Sequence, residues 1–169
     1  MLKIITIPNP ILRQKAKKVA KIGPSTKQLI EEMVDFLKTD QPKKGPKGVG
    51  LAAPQIGLSI RIVVIWSKPS HQFLPMINPE IIWCSKRTSL NVAKSKNPYE
   101  GCLSVPGVWG QVRRHSVIKL AYQTPKGQKV IRKFKGLTGV IIQHEVDHLK
   151  GILFIDRIIK QKGKIIKQE

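Results

Sequence analysis

Hydrophobic residues recur along this chain with two periods, one typical of helices and one typical of strands. Within residues 25–37 the apolar side chains keep a helical spacing, at Ile30, Met33, Val34 and Leu37. Ser25 and Gln28 match the pattern of a capping box at the start of that segment. Residues 137–151 form a second apolar stretch without proline, and Gly151 suits the position just past a helix. The pattern therefore predicts two helices.

Extended segments are predicted between the two helices. Residues 61–66 are mainly β-branched, and residues 73–84 form a second apolar stretch whose two prolines restrict it to an edge strand or a turn. Residues 117–123 and 128–135 alternate on either side of a hairpin turn. Residues 85–98 are rich in Ser, Lys and Asn, which predicts a surface loop. Strands that are segregated from two helices indicate an α+β fold.

Length and composition are those of an ordinary globular protein. The chain has 169 residues and shows neither an internal repeat nor a linker, so we expect a single domain over residues 1–169. Apolar residues make up 41% and charged residues 24%, which excludes disorder throughout. The two cysteines do not suggest a disulfide framework, and neither a membrane span nor a signal peptide is recognisable. We therefore expect a cytoplasmic protein with no membrane partner.

The charge of the chain is strongly positive. Lys and Arg number 31 against 10 Asp and Glu, which gives a formal net charge of +21. Such an excess indicates an anionic neighbour, for example nucleic acid or a ribonucleoprotein, or it reflects a lysine-rich composition alone. Residues 157–169 hold five basic residues and one acid and are predicted to form a basic C-terminal tail. Trp66, Trp83 and Trp109 are predicted to be core or groove residues rather than platforms for stacked bases.

The second predicted helix carries a metal-hydrolase pattern, His144-Glu145-Val-Asp-His148. On a helix, residues four apart lie on one face, so the two imidazoles can hold a single metal ion. Glu145 then lies beside that ion, where it can take a proton from a water molecule. The alternative is a structural helix that carries two hydrogen-bonded histidines and a solvated acid.

A glycine-rich segment, residues 48–55, loosely fits a dinucleotide-binding fingerprint. Its context is wrong, because a basic loop precedes it, Pro54 interrupts the helix that should follow, and no acid stands about 20 residues further on. Glycines here instead let the backbone come close to a ligand, which leaves Gln55 to present its side-chain amide.

A catalytic site of this kind usually takes three protein ligands. The metzincin pattern would require a histidine at position 154, where the chain has Phe154, and few acids lie downstream for a thermolysin-like site. Upstream, the candidate ligands are scattered acids and four other side chains: His71, Cys84, Cys102 and His115. Cys102 is favoured, because a free cysteine in a polar glycine-rich turn is unusual and a thiolate is a strong ligand. We predict that Cys84 is buried as a small hydrophobic residue and that the two histidines lie at the surface.

Three segments, in this order, resemble the motifs of the peptide deformylase family: Gly48-x-Gly50-Leu-Ala-Ala-x-Gln55, Glu100-Gly-Cys102-Leu-Ser104 and Gln143-His-Glu-x-Asp-His148. The opening Ile7-Pro-Asn-Pro-Ile-Leu-Arg13 also looks like the start of that family, so the resemblance covers nearly the whole chain. The end departs from the pattern, because many bacterial members continue into a long terminal helix, whereas thirteen residues follow Asp156 here.

The resemblance implies an enzyme that removes the formyl group from the N-terminal formyl-methionine of nascent polypeptides and releases formate. It implies an α+β fold in which antiparallel or mixed sheets pack around the central helix with the histidine motif. It implies that Fe²⁺, replaceable by Zn²⁺, Ni²⁺ or Co²⁺, is held by Cys102, His144 and His148. A metal-activated water would then be the nucleophile, with Glu145 as general base and acid.

The resemblance also assigns the remaining site residues. Donors to the oxyanion are the side chain of Gln55 and the backbone N–H of Leu103. Residues along the peptide groove or near the methionine side chain are Val49, Gly50, Gly101, Leu103 and Val140. Weak association with the ribosome through the basic tail and other Lys-rich surfaces is a further expectation. Two alternatives stay open: a metallopeptidase with the same helix, and a basic nucleic-acid-binding protein with a structural metal.

Overall fold

A computed structural model of the chain describes residues 2–39, 48–90 and 99–167. Within these ranges the α-helices are α1 (Pro24–Thr39), α2 (Gly136–His148) and α3 (Phe154–Gln161). The first five strands are β1 (Gly50–Ala52), β2 (Ile62–Ser67), β3 (Gln72–Cys84), β4 (Thr88–Leu90) and β5 (Glu100–Cys102). The others are β6 (Val105–Gly110), β7 (Arg113–His115), β8 (Val117–Gln123), β9 (Lys129–Lys135) and β10 (Ile165–Lys167). Short 3₁₀ turns cover Pro10–Arg13 and Ala53–Ile56.

Helix α1 confirms the helix predicted over residues 25–37, but its start differs from the prediction. It begins at Pro24, whose fixed φ and missing N–H suit the first turn of a helix. Ser25 is already helical, so it cannot act as the cap residue, and the predicted capping box with Gln28 is wrong. The Gln28 side chain instead donates to Glu32 one turn later, at 3.0 Å. The buried face consists of Ile30, Met33, Phe36 and Leu37.

The main sheet has five antiparallel strands in the order β1-β2-β3-β8-β9. Strand β3 lies in its interior, so the prediction that the prolines confine it to an edge or a turn is wrong. The prolines are tolerated because β3 is paired on both sides at few positions. Pro75 faces β2 alone, since pairing with β8 begins at Ile77, and Pro79 falls inside a shift of register between Ile77 and Glu80.

Helices pack against both faces of the main sheet, α2 on one face and α1 over the β1–β2 end of the other. Apolar side chains of β2 alternate between the two sides, as the twofold period of a strand requires. One side forms a core with α1 that includes Ile30, Met33, Leu51, Ile62 and Val64. The other forms a core with α2 that includes Val63, Ile65, Ile141, Ile142 and Val146. Helix α2 is thus central, as expected, and the α+β prediction is confirmed.

Two smaller sheets complete the described structure. Their strand orders are β10-β6-β5 and β4-β7. The loop predicted over residues 85–98 is therefore wrong in part, because Thr88–Leu90 pairs with β7, and residues 91–98 lie outside the described residues. No helix among the described residues combines the length and the apolar character that crossing a bilayer requires.

The segment predicted as a basic tail, residues 157–169, is largely part of the fold. It continues α3, where Ile158 is 1% exposed and packs in a core cluster with Cys102. After Gly163 it adds β10 to the edge of β6. Helix α3 ends at Gln161, Lys162 takes a left-handed conformation with φ 52°, and the isoleucines at 165 and 166 then form a strand.

The end of β3 is exposed, contrary to the sequence-based expectation for two of its residues. Cys84 was predicted to be buried, and Trp83 to be a core or groove residue. Cys84 is exposed, and Trp83 is 50% exposed. Beyond Ile81, which packs against the core below α2, this end of the strand faces solvent.

Candidate metal centre

Helix α2 places its two histidines on one face, as their spacing predicts. It begins at Gly136, whose positive φ of 67° turns the chain from β9 into the helix. The rings of His144 and His148 stand 5.1 Å apart between centroids. His148 is 1% exposed and Glu145 4%, so the motif points into the interior.

Cys102 completes a cluster with these two histidines. It is the last residue of β5, where the chain turns back into β6, and its Sγ lies 3.2 Å from His148 Nε2. One ligand atom from each of Cys102, His144 and His148 lies within 4.8 Å of the others. One thiol and two imidazoles form a donor set that suits a transition-metal ion. The residues therefore fit the metal ion that the motif implies.

Glu100 orients His144 from the side opposite the cluster. Its Oε2 lies 3.0 Å from His144 Nδ1, which leaves Nε2 for a metal, an arrangement common around metal-bound histidines. Arg114 binds the same carboxylate with two hydrogen bonds of 2.9 Å. Burial alone would raise the pKa of Glu100, but the Arg114 guanidinium lowers it to about 2. Glu100 is therefore a permanent anion at neutral pH.

Arg114 and Asp147 extend this contact into a buried network. Arg114, 4% exposed, donates to Asp147 as well as to Glu100, and Arg157 of α3 donates to both oxygens of Asp147 at 2.6 and 3.0 Å. Burial would raise the pKa of Asp147, yet the two guanidinium groups lower it. Sequence reasoning assigned no role to Glu100, Arg114 or Arg157. No local pattern marked Arg114, because the strand that turns it inward, Arg113–His115, has only three residues and was not predicted.

The two histidines differ in their protonation. Burial holds the pKa of His148 well below its ordinary value, so its ring is neutral and has a lone pair to offer. Burial acts in the same direction on His144, but hydrogen bonds to Cys102 and Glu100 raise its pKa well above the ordinary value. A metal ion would take the place of that proton, since metal binding releases protons from its ligands.

Glu145 is a buried carboxyl with spare hydrogen-bonding capacity. Among the described residues its Oε2 has no hydrogen-bond partner. Burial raises its pKa to about 7, and the nearby positive charges of His144 and Arg114 only partly oppose that effect. The backbone of Gly50 lies against this carboxyl so closely that a Cβ at position 50 would overlap Glu145 Oε1. The glycine therefore leaves room for Glu145 against β1, and the close approach of residues 48–55 to a ligand stays a prediction.

Gln55 lies beside the cluster with a fixed amide. Its Oε1 accepts a hydrogen bond of 2.8 Å from the backbone N–H of Ala52. That bond directs Nε2 towards Ser104 Oγ at 3.3 Å and Cys102 Sγ at 3.6 Å. The amide N–H groups therefore point at the candidate metal centre.

A cavity of about 220 Å³ opens next to the cluster. Its wall contains every predicted site residue apart from His148, which lies behind it: Val49, Gly50, Gln55, Gly101, Cys102, Leu103, Val140, His144 and Glu145. Leu137, Ile141 and Trp109 also line it, which confirms Trp109 as a groove residue and makes the wall mainly apolar. The rejected ligand candidates His71, Cys84 and His115 do not line this cavity. His115 is half-buried rather than at the surface, with its Nδ1 2.7 Å from the Ser85 carbonyl.

Known proteins resemble this chain along almost its whole length. The family model described as polypeptide deformylase matches residues 1–164. A peptide deformylase from Desulforudis audaxviator is 42% identical over 154 residues, which are 91% of either chain. The crystal structure of peptide deformylase from Thermotoga maritima superposes with a TM-score of 0.80 at 37% identity, covering 93% of this chain and 97% of that chain. A Met-Ala-Ser-bound class I type b peptide deformylase from Acinetobacter baumannii gives 0.80 at 35% identity, covering 94% and 98%. This chain therefore belongs to the polypeptide deformylase family.

Proposed function

We propose that the side chains gathered around the cavity carry out the reaction of this family. That reaction is the metal-dependent removal of the formyl group from the N-terminus of nascent polypeptides, here by hydrolysis with release of formate. The observation that carries the residue assignment is the meeting of Cys102, His144 and His148 beside Glu145 in the wall of an apolar cavity.

The three clustered residues are the proposed metal ligands. We propose Fe²⁺ as the native ion, with Zn²⁺, Ni²⁺ and Co²⁺ as substitutes, because all four accept thiolate and imidazole ligands. When bound, such an ion supplies Lewis acidity and lowers the pKa of a water molecule. Glu100 keeps His144 in the orientation that leaves Nε2 free, and Arg114 keeps Glu100 in place.

Glu145 is the proposed general base and acid. Its raised pKa, about 7, lets the carboxyl exchange a proton near neutral pH, where a group with an ordinary carboxyl pKa stays ionised. As a base it takes a proton from the attacking water. As an acid it then delivers that proton to the nitrogen of the departing amine, which leaves a free amino terminus and formate.

The oxyanion that develops on the formyl oxygen needs hydrogen-bond donors. We assign this role to the side-chain amide of Gln55 and the backbone N–H of Leu103. The bond from Ala52 fixes Gln55 before substrate arrives, so no reorganisation of the amide is required during the reaction.

The substrate side chain would occupy the apolar part of the cavity. Val49, Leu103 and Val140 provide apolar contacts for an unbranched side chain such as methionine. Gly50 and Gly101 let an extended peptide approach the backbone along the groove. The Acinetobacter baumannii protein, which holds Met-Ala-Ser, supports a peptide that begins with methionine as the ligand.

The reaction would take place in the cytoplasm, close to the ribosome. Residues 1–169 are proposed to act as one catalytic domain. A reducing, cytoplasmic compartment would keep Cys102 and the exposed Cys84 as thiols. Substrate appears at the ribosome, and the net charge of +21 suits weak association with ribosomal RNA.

The test is a formate-release assay on a formyl-Met tripeptide with protein purified without oxygen. We expect stoichiometric formate and a free amino terminus, and loss of both on chelation. The same reaction mixture is analysed for free amino acids and shorter peptides. If these appeared without formate, the site would belong to a peptidase and the proposal would be wrong.

A further inference from the structure

The solvent-facing side of strands β8 and β9 carries four lysines, one on β8 and three on β9. The two strands pair without a break in register, so alternate residues share this side. On β9 it carries Lys129, Ile131, Lys133 and Lys135, all exposed. We call this side, together with Lys119 of β8 and Trp83 of β3, the outer face.

One row of the outer face joins an aromatic ring to two cations. Trp83 stands directly opposite Lys119, and Lys119 stands directly opposite Lys133. Residues paired in this way have Cβ atoms about 5 Å apart, and two like charges so placed destabilise a sheet. Binding of an anion between the lysines would remove this repulsion.

Protection of a sheet edge explains only some of these residues. Lysines on an edge strand prevent pairing with other chains, which accounts for those of β9. It does not account for Lys119, which lies on an interior strand. Nor does it account for Trp83, 50% exposed, or Ile131, 65% exposed.

We propose that the outer face binds single-stranded RNA, an activity that goes beyond the deformylase reaction. Lys119 and Lys133 would bind successive phosphates of a strand whose next base stacks on Trp83 at the end of the row, the combination of charge and aromatic ring that single strands require. Glu80 is the one acid in register with this face among the described residues of β3, β8 and β9. The net charge of +21 adds long-range attraction for a polyanion.

The experiment measures binding of a fluorescein-labelled, mixed-sequence RNA of about 12 nucleotides, a length within the usual site size, to the metal-loaded full chain. Trp83→Ala should weaken binding about tenfold, and Trp83→Phe should retain most of the affinity because it keeps a ring. Lys119→Gln and Lys133→Gln should each lower the slope of log affinity against log salt by about 0.7. Matched controls are Ile159→Ala and Lys27→Gln, at exposed positions on α3 and α1.

Formate release from a formyl-Met tripeptide is measured on the same samples and should not change, because these side chains lie outside the cavity. A failure of the RNA-binding proposal can therefore be distinguished from a failure of the deformylase proposal. If the outer-face variants and their controls lost RNA affinity equally, the binding would depend on net charge alone, and the proposal would be wrong. Tighter binding to phosphatidylserine vesicles than to RNA, with the same sensitivity to Trp83→Ala, would show that the face fits a membrane surface instead. Absence of RNA binding at low salt would also overturn it.

Discussion

Two glutamates of the same site have opposite pKa shifts, because their neighbours differ. Glu100 shares its carboxylate with Arg114, so its pKa falls to about 2 despite burial. No described residue holds the Glu145 carboxyl in this way, and burial raises its pKa to about 7. When their surroundings move the pKa values of two carboxyl groups apart in this way, the two groups suit different roles in catalysis. Glu100 suits a fixed charge that orients a ligand, and Glu145 suits a group that moves a proton.

Replacing Glu145 by glutamine tests its proposed role in proton transfer, because the substitution changes only one carboxylate oxygen into an amide nitrogen. Glu145→Gln keeps the shape but cannot exchange the proton, so we expect kcat to fall by roughly 10²–10⁴, the usual contribution of general acid–base catalysis. Metal content, measured on the same sample, should stay unchanged. Glu32→Gln, on the exposed side of α1, is the control. Near-normal turnover by a metal-loaded Glu145→Gln enzyme would remove the residue from its role.

The two cysteines provide a matched pair for testing ligation. Cys102→Ala should weaken metal binding by more than about a hundredfold, because even partners outside the ligand set contribute 10- to 100-fold. Cys84→Ala should leave metal content and activity intact, since Cys84 is exposed and does not line the cavity. Metal analysis after dialysis against a weak chelator provides the measurement. A normal metal content in Cys102→Ala protein would exclude Cys102 as a ligand.

At the scale of elements, α3 holds α2, the helix that carries the histidines, in position. Arg157 reaches from α3 to Asp147, the residue before His148, and Arg114 links Asp147 to Glu100 on β5. Gln143 forms a second link between α2 and β7. Its side chain accepts a hydrogen bond from the backbone N–H of His115 and donates one to the His115 carbonyl, both at 3.0 Å. Helix α2 is therefore held on several sides, and its motif faces the cavity in one orientation.

Removing the α3 contact should loosen this arrangement. In Arg157→Ala, Asp147 keeps Arg114 but loses two charge-assisted hydrogen bonds. We expect the free energy of unfolding to fall by about 1–2 kcal/mol, at the low end for such bonds because the Arg157 side chain is 34% exposed. Urea denaturation of the metal-free protein measures the change. Lys160→Ala, on the exposed side of the same helix, should cost much less, and an equal loss in both variants would contradict the inference.

Elements that depend on local sequence patterns could be predicted, whereas elements that depend on contacts with distant parts of the chain could not. Periodicity was sufficient to predict α1 and α2, and the turn between residues 123 and 128 was sufficient to predict the hairpin of β8 and β9. The interior position of β3 was not predictable, because it depends on which partner strand reaches Pro75. Similarly, α3 and β10 were read as a tail, since Ile158 and the two isoleucines of β10 gain burial or pairing only from distant parts of the chain. In the site, motif residues were identifiable, whereas the role of Arg114 depends on contacts that no local pattern shows.

On the scale of the whole molecule, the positive charge and the cavity are separate features. The cavity wall is largely apolar, and the lysines that line the outer face do not contribute to it. A neutral formylated terminus can therefore enter an apolar pocket while the rest of the protein attracts a polyanion. This separation predicts that salt affects localisation more than chemistry.

Co-sedimentation with ribosomes at low and high salt tests that prediction. We expect association at low salt that falls steeply as salt rises, because each neutralised phosphate adds close to one unit to the salt dependence. Formate release from a free tripeptide should change little over the same range. The pair Lys119→Gln and Lys133→Gln should reduce pelleting more than Lys160→Gln with Lys164→Gln in the basic C-terminal segment. Pelleting that persists unchanged at high salt would contradict an electrostatic association.

The candidate metal centre joins parts of the chain that are far apart in sequence. Cys102 and His148 are 46 residues apart, and Gln55 lies 47 residues before Cys102. Loops of this length must close around the buried face of α2 before an ion can be held, and such long-range closures slow folding. The proposed ligands Cys102 and His148 are buried, whereas His144 is partly exposed in the cavity wall, so a bound ion would be enclosed by the core on one side and open to the cavity on the other. The exchange rate of an isotopically labelled ion should therefore fall when a peptide fills the cavity, and it would report how long the cavity stays occupied.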